Sequence, residues 1–229
     1  MVSYETALKE GREATDVTLD EVRHDTLYTF SYTSGTTGMP KGVMLTHRNF
    51  VANVGGMEGF DGEFTIRDDD VYISYLPLAH VFERVLLMCA MGYKMQYGFF
   101  GGDVMKLKDD LAILKPTIMA SVPRLYNRFF DVMQQKIKEV TGAKRKLIDW
   151  GIAKKMKNLQ GYAQTTHSVY DPLVFNKFKA VLGGRVRILI SGSAPISTEV
   201  LQFLKIAFCC QILEGYGQTE CGAPATITW

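Results

Sequence analysis

Apolar and polar positions change period repeatedly along the chain. Residues 26–33 (TLYTFSYT) are dense in β-branched and aromatic side chains and predict a strand. A Gly/Thr/Ser loop follows, then a short apolar segment at 43–45, after which Thr46 is placed to cap a helix over HRNFVANV. Residues 71–76 (VYISYL) predict another strand, ended by Pro77. Pro116 separates a helix ending near Lys115 from a strand at 117–122. Over 124–140 the spacing becomes helical: Leu125, Phe129, Val132, Met133 and Ile137 share one face, and lysines and glutamines take the rest. Gly142 breaks that helix, and a second basic amphipathic helix runs to about Leu159. Asp171-Pro172 predicts a helix start and Gly183 its stop. Residues 185–191 (RVRILIS) form a further strand, Ser197 caps the helix STEVLQFLKIAF, and a short final strand at 211–213 enters a glycine-rich turn. This alternation predicts an α/β fold with a mainly parallel sheet flanked by helices. Residues 160–168 (QGYAQTTHS) read as an exposed helix–helix connection.

Composition narrows the class. The 229 residues suffice for one large domain or two small ones, and 47% hydrophobic with 22% charged is ordinary globular usage. A net charge of +2 gives no reason to expect nucleic acid or a membrane surface as partner. Cys89, Cys209, Cys210 and Cys221 form no CxxC pair, which favours a reducing compartment over a disulfide framework. His24, His47, His80 and His167 lie far apart, without a zinc-binding spacing. The N-terminal 17 residues are polar, unlike a signal peptide. The longest apolar run, 85–91, is far short of the roughly 20 residues that span a bilayer.

Candidate chemistry lies in three glycine-containing segments. In residues 32–43 (YTSGTTGMPKGV), Gly35, Gly38 and Gly42 allow backbone conformations that a Cβ would obstruct. Ser34, Thr36 and Thr37 supply hydroxyls, and Lys41 supplies a positive charge. Backbone N–H groups in such a loop can converge on an anion, so the parts suit a polyphosphate. The segment is not a Walker A loop, because Lys41 precedes Gly42 and Pro40 falls where the second glycine would stand. In residues 214–220 (EGYGQTE), Gly215 and Gly217 permit a tight turn at a strand end, Tyr216 can stack on a purine and Thr219 can donate to a phosphate. Glu220 is a hard carboxylate suited to Mg²⁺ held between protein and phosphate.

Residues 32–43 resemble the phosphate-binding loop of the adenylate-forming superfamily, with Tyr32 and Thr33 leading into it. Residues 214–220, beginning at Glu214 and including Gln218, are similar to its second signature. Gly192, Ser193, Ala194 and Pro195, within SGSAP, resemble the strand-end turn that abuts adenine. YLPLAHVFER, ASVPRLYNRFFD, GGRVRILISGSAPIS and CQILEGYGQTEC resemble the long-chain acyl-CoA synthetase branch. The resemblance implies part of the large N-terminal domain of an adenylate-forming enzyme, an AMP-binding domain represented in part over 1–229, without the small C-terminal lysine-bearing domain. It implies ATP, Mg²⁺ and CoA as reactants or cofactors, and a long-chain fatty acid as substrate. It implies two-step chemistry through acyl-AMP, with the isolated chain inactive or nearly so. Lys41, Thr219, Glu220 and His80 are the expected catalytic residues, and Thr33 and Glu220 the expected metal contacts. A non-catalytic nucleotide-binding remnant, and a ligase for another carboxylic acid, stand as alternatives.

The resemblance also implies an intracellular enzyme, cytoplasmic or on the cytosolic face of the endoplasmic reticulum or another membrane. Membrane association and oligomeric state of a longer protein stay open. His80 reads as an acyl-side residue. Glu83 and Arg84 read as a local ion pair or a solvated helix face, Trp150 as a packing residue, and the basic stretch 144–157 as a solvated helix face.

Overall fold

The computed structural model describes residues 2–34, 38–59 and 61–228. A first helix, α1 (Tyr4–Glu13), buries none of its side chains. Then β1 (Leu27–Thr33) pairs antiparallel with β2 (Lys41–Thr46), Thr33 opposite Lys41. Thr46 begins α2 (His47–Gly56), where Asn49 Oδ1 reaches back to accept from the Thr46 N–H at 2.8 Å and its hydroxyl at 2.9 Å.

From there the chain winds a sheet: β3 (Val71–Ser74), α3 (Val81–Gly92), β4 (Gln96–Phe99), α4 (Leu107–Leu114), β5 (Ile118–Ser121), α5 (Pro123–Glu139), α6 (Gly142–Tyr162), α7 (Asn176–Lys179), β6 (Ile188–Gly192), α8 (Thr198–Phe208), β7 (Gln211–Gln218) and β8 (Ala223–Thr228). Among the described residues the sheet has six strands in the order β4-β3-β5-β6-β7-β8, parallel except for β8.

Strand parity divides the sheet into two faces. Ile73, Met119, Leu189 and Ile212 pack under α4, α5 and α8, against Leu111, Tyr126, Phe203 and Leu204. Tyr72, Ile118, Ile188 and Leu213 face the other way, toward Phe82 and Leu86 of α3. The far side of α3 presents Val81, Val85 and Cys89 to Leu45, Phe50 and Ala223. Because α3 lies between the sheet and the β1–β2/α2 unit, it is apolar on more than one face, which accounts for the run 85–91. Among the described residues no helix is long and apolar enough to cross a membrane.

The N-terminal ends of β3, β5 and β6 are tied together by Asp70, which is 1% exposed. Its carboxylate accepts from Arg187 through both the Nε (2.8 Å) and an Nη, from the Thr117 hydroxyl at 2.6 Å and from the Arg67 N–H at 2.8 Å.

Several expectations are corrected. The strand at 211–213 is neither short nor final: β7 runs through Gln218 because β8 turns back to pair with it, Gly215 opposite Ile227 and Tyr216 opposite Thr226. Gly142 opens α6 rather than only ending α5. Glu83 and Arg84 form neither an ion pair nor a solvated face. Glu83 is fully buried, and Arg84 reaches the Thr29 and Ser31 hydroxyls of β1. Trp150 is not a packing residue; it is 63% exposed because α6 turns the neighbouring Gly151 and Lys155 inward instead. Lys155 is itself buried, so the basic stretch is not a uniformly solvated face; its ammonium pairs with Asp171 and lies 4.2 Å from the Phe175 ring centroid. In the 160–168 connection, Thr165 is buried.

Candidate active site

A cavity of about 380 Å³ runs along the α3 face of the sheet. One parity of two strands builds its floor. Ile188, Ile190 and Gly192 follow one another on β6, and Leu213, Gly215 and Gly217 on β7, so the lining falls from branched side chains to bare backbone toward the strands' C-terminal ends. From Ile188 to Gly192 is roughly 13 Å at strand rise. Tyr72 and Ile118 continue the inner part, and α3 contributes Val81, Phe82, Val85 and Leu86. Thr33 from the hairpin, His80 before α3, Ser193 after β6 and Tyr216, Gln218, Thr219 and Glu220 from β7 and beyond also border it. In parallel α/β sheets the carboxyl ends of the strands are where ligands bind.

Local structure holds these groups in place. Gly217 has no substitute: a Cβ there would lie 1.5 Å from the Ala223 carbonyl oxygen. The 3₁₀ turn Thr219–Cys221 that carries Glu220 is tethered to α2, since Asn53 Nδ2 donates to the Gly222 carbonyl at 3.2 Å and the Asn49 carbonyl at 2.9 Å. Gly222 adopts φ +76, and a Cβ on it would meet Asn53 Nδ2 at 2.5 Å. Ser193 has φ +74, unusual for a residue with a side chain and a local strain beside the cavity. His80 caps α3: its Nδ1 accepts the Phe82 N–H at 3.2 Å.

Arg84 spans two parts of the site. Its Nε donates to the Leu78 carbonyl at 2.6 Å, and one Nη donates to the hydroxyls of Thr29 (2.9 Å) and Ser31 (2.8 Å). The β1 strand leading to Thr33 is thereby fastened to the loop leading to His80. The Glu83 carboxylate accepts from Tyr72 at 2.8 Å and Tyr97 at 2.6 Å. Burial, reinforced by the Glu83 charge, pushes both phenols well above their ordinary pKa, so each stays protonated and donates.

The expected site residues therefore fall into three groups. Thr33, His80, Gly192, Ser193, Gly215, Tyr216, Gly217, Gln218, Thr219 and Glu220 come together around one cavity. Tyr32, Ser34, Gly38, Lys41, Glu214, Ala194 and Pro195 do not line it. Tyr32 is 73% exposed, with its ring beside Gly42, and Lys41 is exposed at the start of β2, opposite Thr33. Gly35, Thr36 and Thr37 lie outside the described residues. Asn53, Glu83 and Arg84 were missed as supporting residues. A single charge after a helix start, or an Asn within a helix, has no signal distinguishing it from a solvated side chain.

The donor set fits a magnesium nucleotide. Among the described residues no three His, Cys, Asp or Glu side chains cluster, so the protein offers one carboxylate, Glu220, with the hydroxyls of Thr33 and Thr219 on the same cavity. Mg²⁺ commonly takes one or two carboxylates and completes its shell with phosphate oxygens and water. Tyr216, 68% exposed, leaves a ring face free for a base.

A sequence model described as AMP-binding enzyme matches residues 2–229. The chain is 45% identical over 221 residues to the peroxisomal long chain acyl-CoA synthetase 7 of Arabidopsis thaliana, covering 96% of this chain and 31% of that protein. It is 44% identical over 198 residues to long-chain-fatty-acid–CoA ligase 1 of Homo sapiens, covering 86% and 28%. The chain thus spans less than a third of these relatives' length. In structure it resembles the adenylation domain of a carboxylate reductase from Mycobacterium chelonae, with a TM-score of 0.69 and 25% identity over 97% of this chain and 31% of that one. It also resembles the A domain of a carboxylic acid reductase from Segniliparus rugosus, solved with AMP and a co-purified carboxylic acid, with a TM-score of 0.64 and 25% identity over 97% and 32%.

Proposed function

Because the chain belongs to the AMP-binding enzyme family, we propose that it is the nucleotide-binding part of a ligase that joins long-chain fatty acids to CoA at the expense of ATP. The observation that carries this reading is that one cavity, under α3, has both a polar and an apolar end. Hydroxyls, Glu220 and bare glycine backbone line its outer end, and Leu86, Ile118 and Ile188 line its inner part. An amphiphile with its carboxylate outward and its chain inward fits that order, and brings the carboxylate to the nucleotide.

In the first step a carboxylate oxygen attacks the α-phosphorus of ATP; an acyl–phosphate bond forms and pyrophosphate leaves. The thiol of CoA then attacks the acyl carbonyl and AMP departs. Neither step requires a protein nucleophile, so this chain's residues act by position and charge. Residues 32–38 and Lys41 would hold the phosphates, Tyr216 would stack on the adenine, and Gly192 and Ser193 would let the base approach the backbone. Thr33 and Glu220 would hold Mg²⁺, which when bound offsets charge building on the phosphate oxygens. His80, its Nδ1 committed to the α3 N-terminus, has Nε2 left to meet the acyl carboxylate.

The test is acid-dependent exchange of pyrophosphate into ATP by the full-length protein, over acids of graded chain length. Exchange should require long-chain acids. Exchange with short or aromatic acids only would assign the site to another carboxylate. No exchange with any acid would favour a nucleotide-binding remnant.

A further inference from the structure

A second cavity, of about 720 Å³, lies beyond the opposite face of the sheet, between α4, α5, α6 and the segment around α7. Its floor is Leu111, Met133 and Ile137, which are 0%, 3% and 3% exposed. Nearer the surface, apolar lining stays open to water: Met105 is 73%, Leu173 55% and Val132 45% exposed. The charges on it are all of one sign. Lys108, Arg128, Lys136, Lys144 and Lys177 line it, and among the described lining residues none is acidic. Over the whole chain 26 basic residues face 24 acidic ones, so a lining with five bases and no acid departs from the chain's own balance. Among the described residues none of the five is in an ion pair; the basic side chains that are paired are Arg23, Arg145, Lys155 and Arg187.

We propose that this cleft is a second binding site, for one molecule of a long-chain fatty acid in its anionic form, distinct from the cavity under α3. An apolar floor takes a hydrocarbon chain, and unpaired cations take a carboxylate at the rim. The volume falls within the roughly 300–1,000 Å³ of small-molecule sites. The cleft is concave with a buried apolar floor, which suits a single amphiphile. The exposed Met105, Val132 and Leu173 stand at its margin, above a floor deep enough to take the chain of one molecule. The α4–α5–α8 layer and the sheet separate the two cavities, so an acid bound here is out of reach of the nucleotide and is held rather than consumed. The choice of a long acyl chain rests on the proposed function; the anionic, apolar-tailed chemistry rests on the cleft alone.

The experiment is photolabelling of the full-length protein with a palmitic acid carrying a chain-borne diazirine, kept below its micelle concentration. The α3 cavity is blocked by a non-hydrolysable acyl-adenylate analogue, and labelled peptides are mapped by mass spectrometry. Peptides from 128–148 and 173–178 should stay labelled under the block, while peptides from 81–95 lose their label. The pair Lys136→Glu and Lys144→Glu, and separately Val132→Asp, should lower cleft labelling about tenfold or more, with pyrophosphate exchange unchanged. The corresponding diazirine alcohol, used on the unaltered protein, should label the cleft far less than the acid. This arm decides even if a variant fails to fold. Labelling of the α3 cavity alone, equal labelling by the alcohol, or labelling only when anionic vesicles are present would each overturn the proposal, the last in favour of a membrane-docking face. Cleft labelling without pyrophosphate exchange would leave the second site standing and refute the ligase reading.

Discussion

Replacing Asp70 with alanine should cost the protein much of its stability and leave the chemistry of the cavity beneath α3 intact. Asp70 is buried, and its carboxylate accepts from two nitrogens of Arg187, from Thr117 and from the Arg67 backbone. Truncation leaves the Arg187 guanidinium, whose side chain is only 20% exposed, without its counter-charge. Removing one partner of such a pair typically costs about 3–5 kcal/mol, a large share of the roughly 5–15 kcal/mol that separates folded from unfolded states. The residue sits where β3, β5 and β6 begin, whereas the cavity's polar groups sit where β6 and β7 end. Chemical denaturation of the full-length protein should therefore show the loss, and the KM for ATP of the surviving folded fraction should change little. Adding Arg187→Met to Asp70→Ala should restore part of the loss, because the stranded charge disappears. A loss below about 1 kcal/mol, the median worth of a surface pair, would refute the argument.

The same carboxylate gives a pH arm. Desolvation pushes its pKa up, but hydrogen bonds from Arg187, Thr117 and the Arg67 N–H outweigh that and hold it below the ordinary value. A depressed folded-state pKa contributes stability that is complete above the unfolded value of about 3.9 and is lost as pH falls through the folded one. Asp70→Ala should lack this component of acid destabilisation. Equal acid slopes in the two proteins below about pH 4 would show that Asp70 is not the titrating group.

Four further outcomes follow from the site. Glu220→Ala should slow acyl-AMP formation on the order of 100-fold and raise the Mg²⁺ concentration needed for half-maximal pyrophosphate exchange; an unchanged Mg²⁺ dependence would remove Glu220 from the metal. Lys41→Ala should slow the same step with a raised KM for ATP and no change in fatty-acid KM, measured by the same exchange. Arg84→Ala should lower kcat/KM about 10- to 100-fold, since three charge-assisted hydrogen bonds at about 1.5–3 kcal/mol each partly overlap, and Arg84→Lys should rescue little because one ammonium cannot replace the fork; full activity of the lysine variant would reduce Arg84 to a surface charge. Gly217→Ala should abolish the folded protein or strongly depress its melting temperature, and an unperturbed melt would contradict the β7–β8 register.

Much of the fold was legible because local signals and tertiary demands agreed. Residues 26–33, 71–76 and 185–191 carry β-branched and aromatic residues, and each became a strand within a few positions. Ser197 and Thr46 precede their helices as caps do. The failures have physical causes. Residues 214–218 (EGYGQ) have the composition of a turn, yet they form a strand because β8 supplies the hydrogen bonds that glycine's backbone would otherwise lose to water. α3 shows no simple amphipathic stripe, because the sheet covers one of its sides and the hairpin unit another. The cavity's glycines and hydroxyls were legible as chemistry, since few structural tasks require GYGQTE or SGSAP. Asn53, Glu83 and Arg84 were not, because what they do depends on residues up to 169 positions away.

The parity of β6 and β7 explains why one short motif in each can border both the apolar and the polar part of the cavity. Side chains of one parity alternate to a single face, so Ile188, Ile190 and Gly192 must share it, as must Leu213 and Gly215; after Tyr216 the β7–β8 register shifts and a Cβ on Gly217 would point at Ala223. Along both strands that face loses bulk toward the C-terminal end, while the opposite parity, Leu189 and Ile212, keeps full side chains for the α5–α8 core. The cavity is therefore not carved out of the core; it is left where two neighbouring strands give up side chains on one face in register, Ser191 opposite Glu214 and Gly192 opposite Gly215. Two consequences follow from this geometry. Bulk can be removed above the sheet without opening a void beneath it, because the layers share only backbone. The polar end of the cavity also falls where β7 leaves its parallel neighbours and turns to meet β8, so Thr219 and Glu220 are carried past the strand ends, toward the side from which Thr33 enters.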